Sequence, residues 1–149
     1  MLRIAALVVA FAVPATALAE TRTYETSGAQ VSAPVGLTVK VKSITVGDDA
    51  VKVRLQASFD SNRTNSIAMN GADNAYLAWG EGDQERLHLR QVADNKWMRI
   101  LNGKTMEGDL VFPGTLPATA SKVTLVFNPG NEIGDVSGPG LAIPLELKR

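Results

Sequence analysis

The sequence contains no cysteine and only one histidine among its 149 residues. Without thiols, the chain cannot form disulfides or the thioether link of a bacterial lipoprotein, and the usual zinc and copper ligand sets are excluded. A serine or cysteine hydrolase needs a nucleophile held against a base. The single histidine, His88, alternates with Leu87 and Leu89, which predicts that it faces solvent. We therefore expect no catalytic residues, no metal site and no cofactor.

The sequence also lacks an excess of charge of either sign, with 15 basic and 15 acidic residues. Interspersed charges give neither the basic stripe of a nucleic-acid-binding protein nor a polybasic membrane patch. We predict that the protein binds no nucleic acid.

Asp48-Asp49 and Asp60-Ser61-Asn62 offer oxygen ligands for calcium, but they lack the spacing of an EF-hand. Such residues are typical of turns.

One apolar run stands at the start of the sequence. Arg3 precedes the run Ile4 to Val13, Pro14 interrupts it, and small residues lead up to Ala19. This layout is that of a secretory signal peptide, and the run is too short for a membrane-spanning helix of about 20 residues. We predict that residues 1–19 are a signal peptide, that the protein is periplasmic or secreted, and that it inserts in no membrane after cleavage.

The segment after the predicted cleavage site has no apolar periodicity. Residues 20–35 read ETRTYETSGAQVSAPV and are rich in Thr, Ser, Gly and Ala, which predicts a flexible N-terminal leader. Residues 36–149 are long enough to bury one core. The sequence therefore predicts one folded domain, whose stability comes from apolar burial and strand pairing.

Alternation of apolar and polar residues predicts short strands across this domain. The alternation changes phase near Ser43, which predicts a β-bulge. Asn102-Gly103 has the sequence of a tight hairpin turn, and Pro144 predicts that the last strand lies at a sheet edge. The predicted strand segments are 37–46, 51–59, 67–69, 76–79, 86–90, 97–101, 104–112, 123–127 and 141–147.

Short strands with turns between them, and no helical stripe, predict an all-β, immunoglobulin-like antiparallel β-sandwich of about 7–9 strands. A small β-barrel is the alternative. The segments GLTVKVKSITVGDDAVKVRLQASFDSN, KTMEGDLVFPGTLPATASKVTLVFNP and LAIPLELK resemble the small immunoglobulin-like domains of bacterial envelope and secreted proteins. Some of those domains precede a peptidoglycan-binding domain of the outer-membrane-protein-A type. The resemblance implies a role in the cell envelope.

The aromatic residues supply the candidate binding residues. Trp97 and Met98 stand beside Lys96 and Arg99, a mixture that suits contact with a protein or a sugar ring. A tryptophan can instead fill the core of a sandwich. We expect Trp79 in the core, and the pattern leaves both locations open for Trp97.

Three loops are candidate recognition surfaces, because loops on a rigid β scaffold commonly carry binding residues. They are Asp60 to Ser66, which includes Asn62 and Arg63, then Gln91 to Arg99, and Asn128 to Gly140. The sequence thus favours a non-enzymatic, exported binding or accessory module of the bacterial cell envelope, whose partner is a protein or a glycan.

Two other functions remain open from the sequence. A small hydrolase acting on glycan or peptide would use acidic residues, and Glu81, Asp83 and Glu85 cluster around a turn. A structural subunit would assemble by strand exchange with a neighbour. The leader Thr21 to Ala33 does not alternate as a donated strand should, which counts against strand exchange.

Overall fold

In a computed structural model, residues 20–148 are described, apart from the side chain of Ser27. The ten strands among them are β1 (Arg22–Ala33), β2 (Leu37–Val46), β3 (Ala50–Phe59), β4 (Ser66–Ala68), β5 (Tyr76–Trp79), β6 (Glu85–His88), β7 (Arg99–Leu101), β8 (Lys104–Pro113), β9 (Lys122–Phe127) and β10 (Leu141–Glu146). The predicted signal peptide lies outside the described residues. Within residues 20–148, no helix has the length and apolar character needed to cross a lipid bilayer.

The strands form two four-stranded antiparallel sheets and a two-stranded ribbon. Sheet I has the order β1-β2-β3-β8, sheet II has the order β10-β9-β5-β6, and β4 pairs with β7 in the ribbon. In sheet I, β2, β3 and β8 match strands A, B and E of the immunoglobulin fold. The strands of sheet II, in their order across the sheet, match strands G, F, C and C′ of that fold. The strand order is therefore immunoglobulin-like. The predicted all-β sandwich is confirmed, and the sheets do not close into a barrel.

Burial follows the alternation read from the sequence. In β3 the residues from Val51 to Phe59 at odd positions are buried, while the lysine and arginine between them are exposed.

The pairing of β2 with β3 shifts register between Val41 and Ser43, which confirms the predicted bulge. Pro144 lies in β10, at the edge of sheet II, as predicted. Trp79 is partly buried and packs against the core.

The N-terminal segment is a strand, so the prediction of a flexible leader over residues 20–35 is wrong. β1 pairs with β2 along the edge of sheet I. Tyr24 is only 8% exposed, and the Thr26 hydroxyl donates to the Val41 carbonyl at 2.9 Å. The register shifts between Glu25 and Ala29. Because the bulge moves the inward positions from even to odd numbers, and several of those positions carry small residues, the alternation is hidden in the sequence.

The Asn102-Gly103 turn does not form the predicted hairpin. β7 pairs with β4, whereas β8 pairs with β3. The Asn102 amide donates to the Asn65 carbonyl at 2.8 Å, and the Gly103 amide donates to the Phe59 carbonyl at 2.8 Å. Of the two turn residues, Gly103 alone has a positive φ, 78°. The turn therefore carries the chain from the ribbon into sheet I, because each flanking strand has a different partner.

Candidate functional site

Three long connections leave sheet II from the same end. Tyr76, which begins β5, pairs with His88 at the end of β6 and with Val126 near the end of β9. Phe127 pairs with Leu141 at the start of β10. The connections over residues 60–75, 89–103 and 128–140 must therefore meet at this end, which we call the loop end. It brings together the three loops that the sequence singled out.

The described chain ends lie at the opposite end of the sandwich. Arg22 pairs with Val46, beside the turn that joins β2 to β3. The Leu147 amide donates to the Ser121 carbonyl at 2.8 Å, just before β9 begins. The loop end is thus presented away from both ends of the folded domain.

A cleft of about 340 Å³ opens at the loop end. Its walls come from three separate parts of the chain: residues within 66–74, Arg99 in β7, and residues within 128–138. Among the described residues that line it, Arg99 is the one charged side chain, and the other polar side chains are amides and hydroxyls. Such a lining presents hydrogen-bonding groups and one positive charge to the cleft.

Asn128 holds two of these walls together. It is 4% exposed and has a positive φ of 46°, which asparagine tolerates better than most residues. Its side-chain Nδ2 donates to the carbonyls of Ala68 (3.0 Å) and Pro139 (3.1 Å), and its Oδ1 accepts from the Gly71 amide at 3.2 Å. The connection between β9 and β10 is thereby fixed against the segment that follows β4.

Arg99 is fixed from both its backbone and its side chain. Asn95 Oδ1 accepts from the Arg99 amide at 2.8 Å, and Asn95 Nδ2 donates to the Arg99 carbonyl at 3.1 Å. The guanidinium Nη1 donates to the Ser66 hydroxyl at 2.9 Å. The ion pairs found within residues 20–148 do not involve Arg99. The cleft therefore holds a positioned cation that no carboxylate of the described residues neutralises.

Asn74 adds an acceptor without a donor. It lines the cleft, and its Oδ1 is buried with no hydrogen-bond partner among the described residues. Buried polar atoms are almost always paired in folded proteins, so an unpaired one needs a physical explanation. The oxygen is itself shielded from solvent, so in this conformation it offers no exposed acceptor to a ligand in the cleft.

Asp135 organises the loop beside the cleft. Its Oδ1 accepts from the Ser137 amide and hydroxyl, both at 2.8 Å, and from the Gly138 amide at 2.9 Å. Backbone donation from Gly138, followed by donation from Ser137, lowers the pKa of the Asp135 carboxyl below its ordinary value of 3.8. Because the folded pKa is lowered, this contribution to stability is present above pH 3.8 and is lost as pH falls through the folded pKa.

We expect the amide proton shifts of Ser137 and Gly138 to titrate with a common midpoint below pH 3.8, as measured by NMR. Protonation of Asp135 weakens both hydrogen bonds at once. Asp135→Asn should abolish this titration while leaving amides at the opposite end unchanged. A midpoint at or above 3.8 would show that Asp135 does not hold the loop in solution.

The predicted binding residues divide between buried and exposed positions. Trp97 is 41% exposed, and Lys96 Nζ lies 4.3 Å from the centroid of its ring. Met98 is fully buried, so its assignment to a binding surface is wrong: its side chain belongs to the hydrophobic core. Asn62 and Arg63 are exposed, and they line a separate hollow that shares Ser66 with the cleft. Of the predicted residues, Arg99 alone lines the cleft.

The large apolar side chains that are exposed within residues 20–148 also lie at the loop end. They are Trp97, Leu101, Ile133 and Val136. Trp97 and Leu101 flank Arg99 on either side, and Leu101 pairs with Ser66. Ile133 and Val136 lie between two residues that line the cleft, Asn131 and Ser137. These four residues, which we call the apolar rim, are therefore close in sequence to residues that line the cleft.

Comparison with known proteins gives the fold and no family. No family model matches the chain, and no curated protein matches it. Among solved structures, the chain is similar to a functionally unknown protein from Listeria monocytogenes EGD-e, with a TM-score of 0.55 and 12% identity over 87% of this chain and 88% of that one. This likeness shows the fold alone.

The acidic cluster considered for hydrolysis lies away from the cleft. Glu81 and Asp83 belong to a short 3-10 helix between β5 and β6, at the opposite end, and both are exposed, as is Glu85. None of the described residues that line the cleft carries a carboxylate or an imidazole. The cleft therefore offers hydrogen bonds and a positive charge, and its lining side chains supply no general base of the usual kinds.

Proposed function

We propose that this protein is a non-enzymatic, exported binding module of the bacterial cell envelope that recognises its partner through the loop end. The observation that carries the proposal is the convergence of exposed apolar side chains and an unneutralised Arg99 at that end. Tryptophan and arginine are the residues most enriched where binding energy concentrates. The immunoglobulin-like strand order supports kinship with the small envelope domains that the sequence resembles.

The arrangement of the ends supports the same function. Both described chain ends lie away from the loop end, so a neighbouring domain, surface or tag would leave the cleft open. Exposed apolar residues on a folded protein mark contact sites when they cluster rather than scatter. Here the large exposed apolar side chains of residues 20–148 all lie in two connections at the loop end.

A binding test separates the loop end from the rest of the surface. The protein, produced from its full sequence in a bacterial host, is immobilised through a C-terminal tag and exposed to envelope proteins and to purified peptidoglycan. We expect Trp97→Ala to weaken retention of the bound component by about tenfold, because truncating an interface tryptophan removes one or more kcal/mol. The matched control is Lys122→Ala, an exposed residue at the opposite end.

Equal loss with Trp97→Ala and Lys122→Ala would contradict a site at the loop end. Retention of no component by the unaltered protein would contradict a binding module and direct attention to assays of hydrolysis and self-assembly. Circular dichroism of each variant establishes that the fold is unchanged.

A further inference from the structure

We infer that the loop-end cleft receives an acidic protein segment, with a carboxylate at Arg99 and aliphatic neighbours against the apolar rim. The inference rests on the proposed function and names the chemistry of the partner. It follows from the charge of the cleft, from the kind of apolar residue around it and from what already covers Trp97.

The charge argument concerns Arg99. Its backbone is held by Asn95 and one guanidinium nitrogen by Ser66, so the orientation of the side chain is set before a ligand arrives. Most of its N–H donors remain unused within the described residues, and a planar guanidinium matches a carboxylate in a paired geometry. A positioned cation that forms no ion pair within residues 20–148 is complementary to an acidic group on a partner.

The apolar argument favours a protein over a glycan. The rim residues Leu101, Ile133 and Val136 are aliphatic, and they suit the aliphatic side chains of a peptide. Sugar rings bind best on the open face of an aromatic side chain. At the loop end the exposed aromatic side chain is Trp97, and Lys96 Nζ lies 4.3 Å from the centroid of its ring, where it covers one of the two faces on which a sugar could stack. Lys96 also adds positive charge near Arg99.

The size of the cleft limits the part of a partner that can enter it. The volume of about 340 Å³ is at the lower end of ligand-binding clefts and fits one or two side chains rather than a folded domain. The cleft would therefore bind a short segment of the partner, while the apolar rim contacts the partner's surface around that segment.

The test uses two matched peptides, acetyl-Leu-Glu-Leu-amide and acetyl-Leu-Gln-Leu-amide, titrated into ¹⁵N-labelled protein and followed by NMR. We expect the Glu peptide to shift the amides of Ser66, Arg99 and Ser137, with an affinity about fivefold or more above that of the Gln peptide. Arg99→Gln should remove this preference, and Arg86→Gln, on the outer face of sheet II, should keep it. The preference should shrink as salt is raised, because screening weakens exposed charge pairs.

Equal affinity for the two peptides, shifts confined to other surfaces, or no shifts at millimolar peptide would each overturn the inference. So would an N-acetylglucosamine trisaccharide that shifts the same three amides when neither peptide does. These results are distinguishable from failure of the proposed function. An envelope component whose retention depends on Trp97 but not on Arg99 would keep the loop end as the binding site and reject the acidic segment.

Discussion

Replacing Gly36 with alanine is expected to destabilise the protein by about 4 kcal/mol, among the largest effects of a single methyl group. Gly36 has a φ of 108°, in the region that L-residues avoid. An added Cβ would lie only 2.0 Å from the Asp60 backbone oxygen. The clash cannot be relieved by a side-chain rotation, because the backbone fixes the position of the Cβ and the Asp60 oxygen is itself a backbone atom. It would also break the hydrogen bond from the Asp60 amide to the Gly36 carbonyl, 3.0 Å long.

Gly28 provides the matched control for backbone strain. It also has a positive φ, 94°, but an added Cβ would meet no atom within 4 Å. Gly28→Ala should therefore cost about 1–2 kcal/mol, the cost of the conformation alone. Urea denaturation of both variants measures the difference. Equal destabilisation would mean that the clash at Gly36 relaxes freely, and that the turn between β1 and β2 is not fixed against Asp60.

The strands of the sandwich could be predicted from the sequence where one face of the strand is buried and the other is exposed to solvent. β3 alternates without interruption, so its length and its inward face follow from the sequence directly. The bulge near Ser43 was predictable because valine and isoleucine stand on both sides of the phase change. Large apolar residues therefore mark a strand even across an irregularity.

β1 could not be predicted in this way. Its inward residues include Thr26, Ala29 and Ala33, which bury little area and leave no apolar stripe. Its stability comes from pairing with β2 and from the Thr26 hydrogen bond to Val41, and these are tertiary contacts. A strand that depends on its neighbour gives a weak local signal.

The candidate site was predictable as a set of loops but not as a set of residues. The turn-rich composition of residues 60–66 and 128–140 indicated both loops, and the strand order then places them at one end. The sequence indicates Arg99 because it stands near Trp97. It does not indicate the individual roles of Asn74 and Asn128, because an unpaired oxygen and hydrogen bonds between segments distant in sequence leave no local pattern.

Asn128→Ala is expected to destabilise the protein by about 3–4 kcal/mol, comparable to loss of a large core side chain. The substitution removes one acceptor and two donor contacts at a residue that is 4% exposed, leaving the Gly71 amide and the carbonyls of Ala68 and Pro139 without their partner. It also places alanine at a φ of 46°, which costs about 1 kcal/mol more than asparagine or glycine there. Urea denaturation measures the total.

Two further variants separate the causes. Asn128→Gly should recover about 1 kcal/mol relative to alanine, since glycine tolerates the positive φ but restores no hydrogen bond. Asn62→Ala, in an exposed loop at the same end, should change stability by less than about 0.5 kcal/mol. If Asn128→Gly matched the unaltered protein, the hydrogen bonds of Asn128 would contribute nothing net. The connection between β9 and β10 would then be held against β4 by other contacts, such as the hydrogen bond from the Ala68 amide to the Ser137 carbonyl at 2.9 Å.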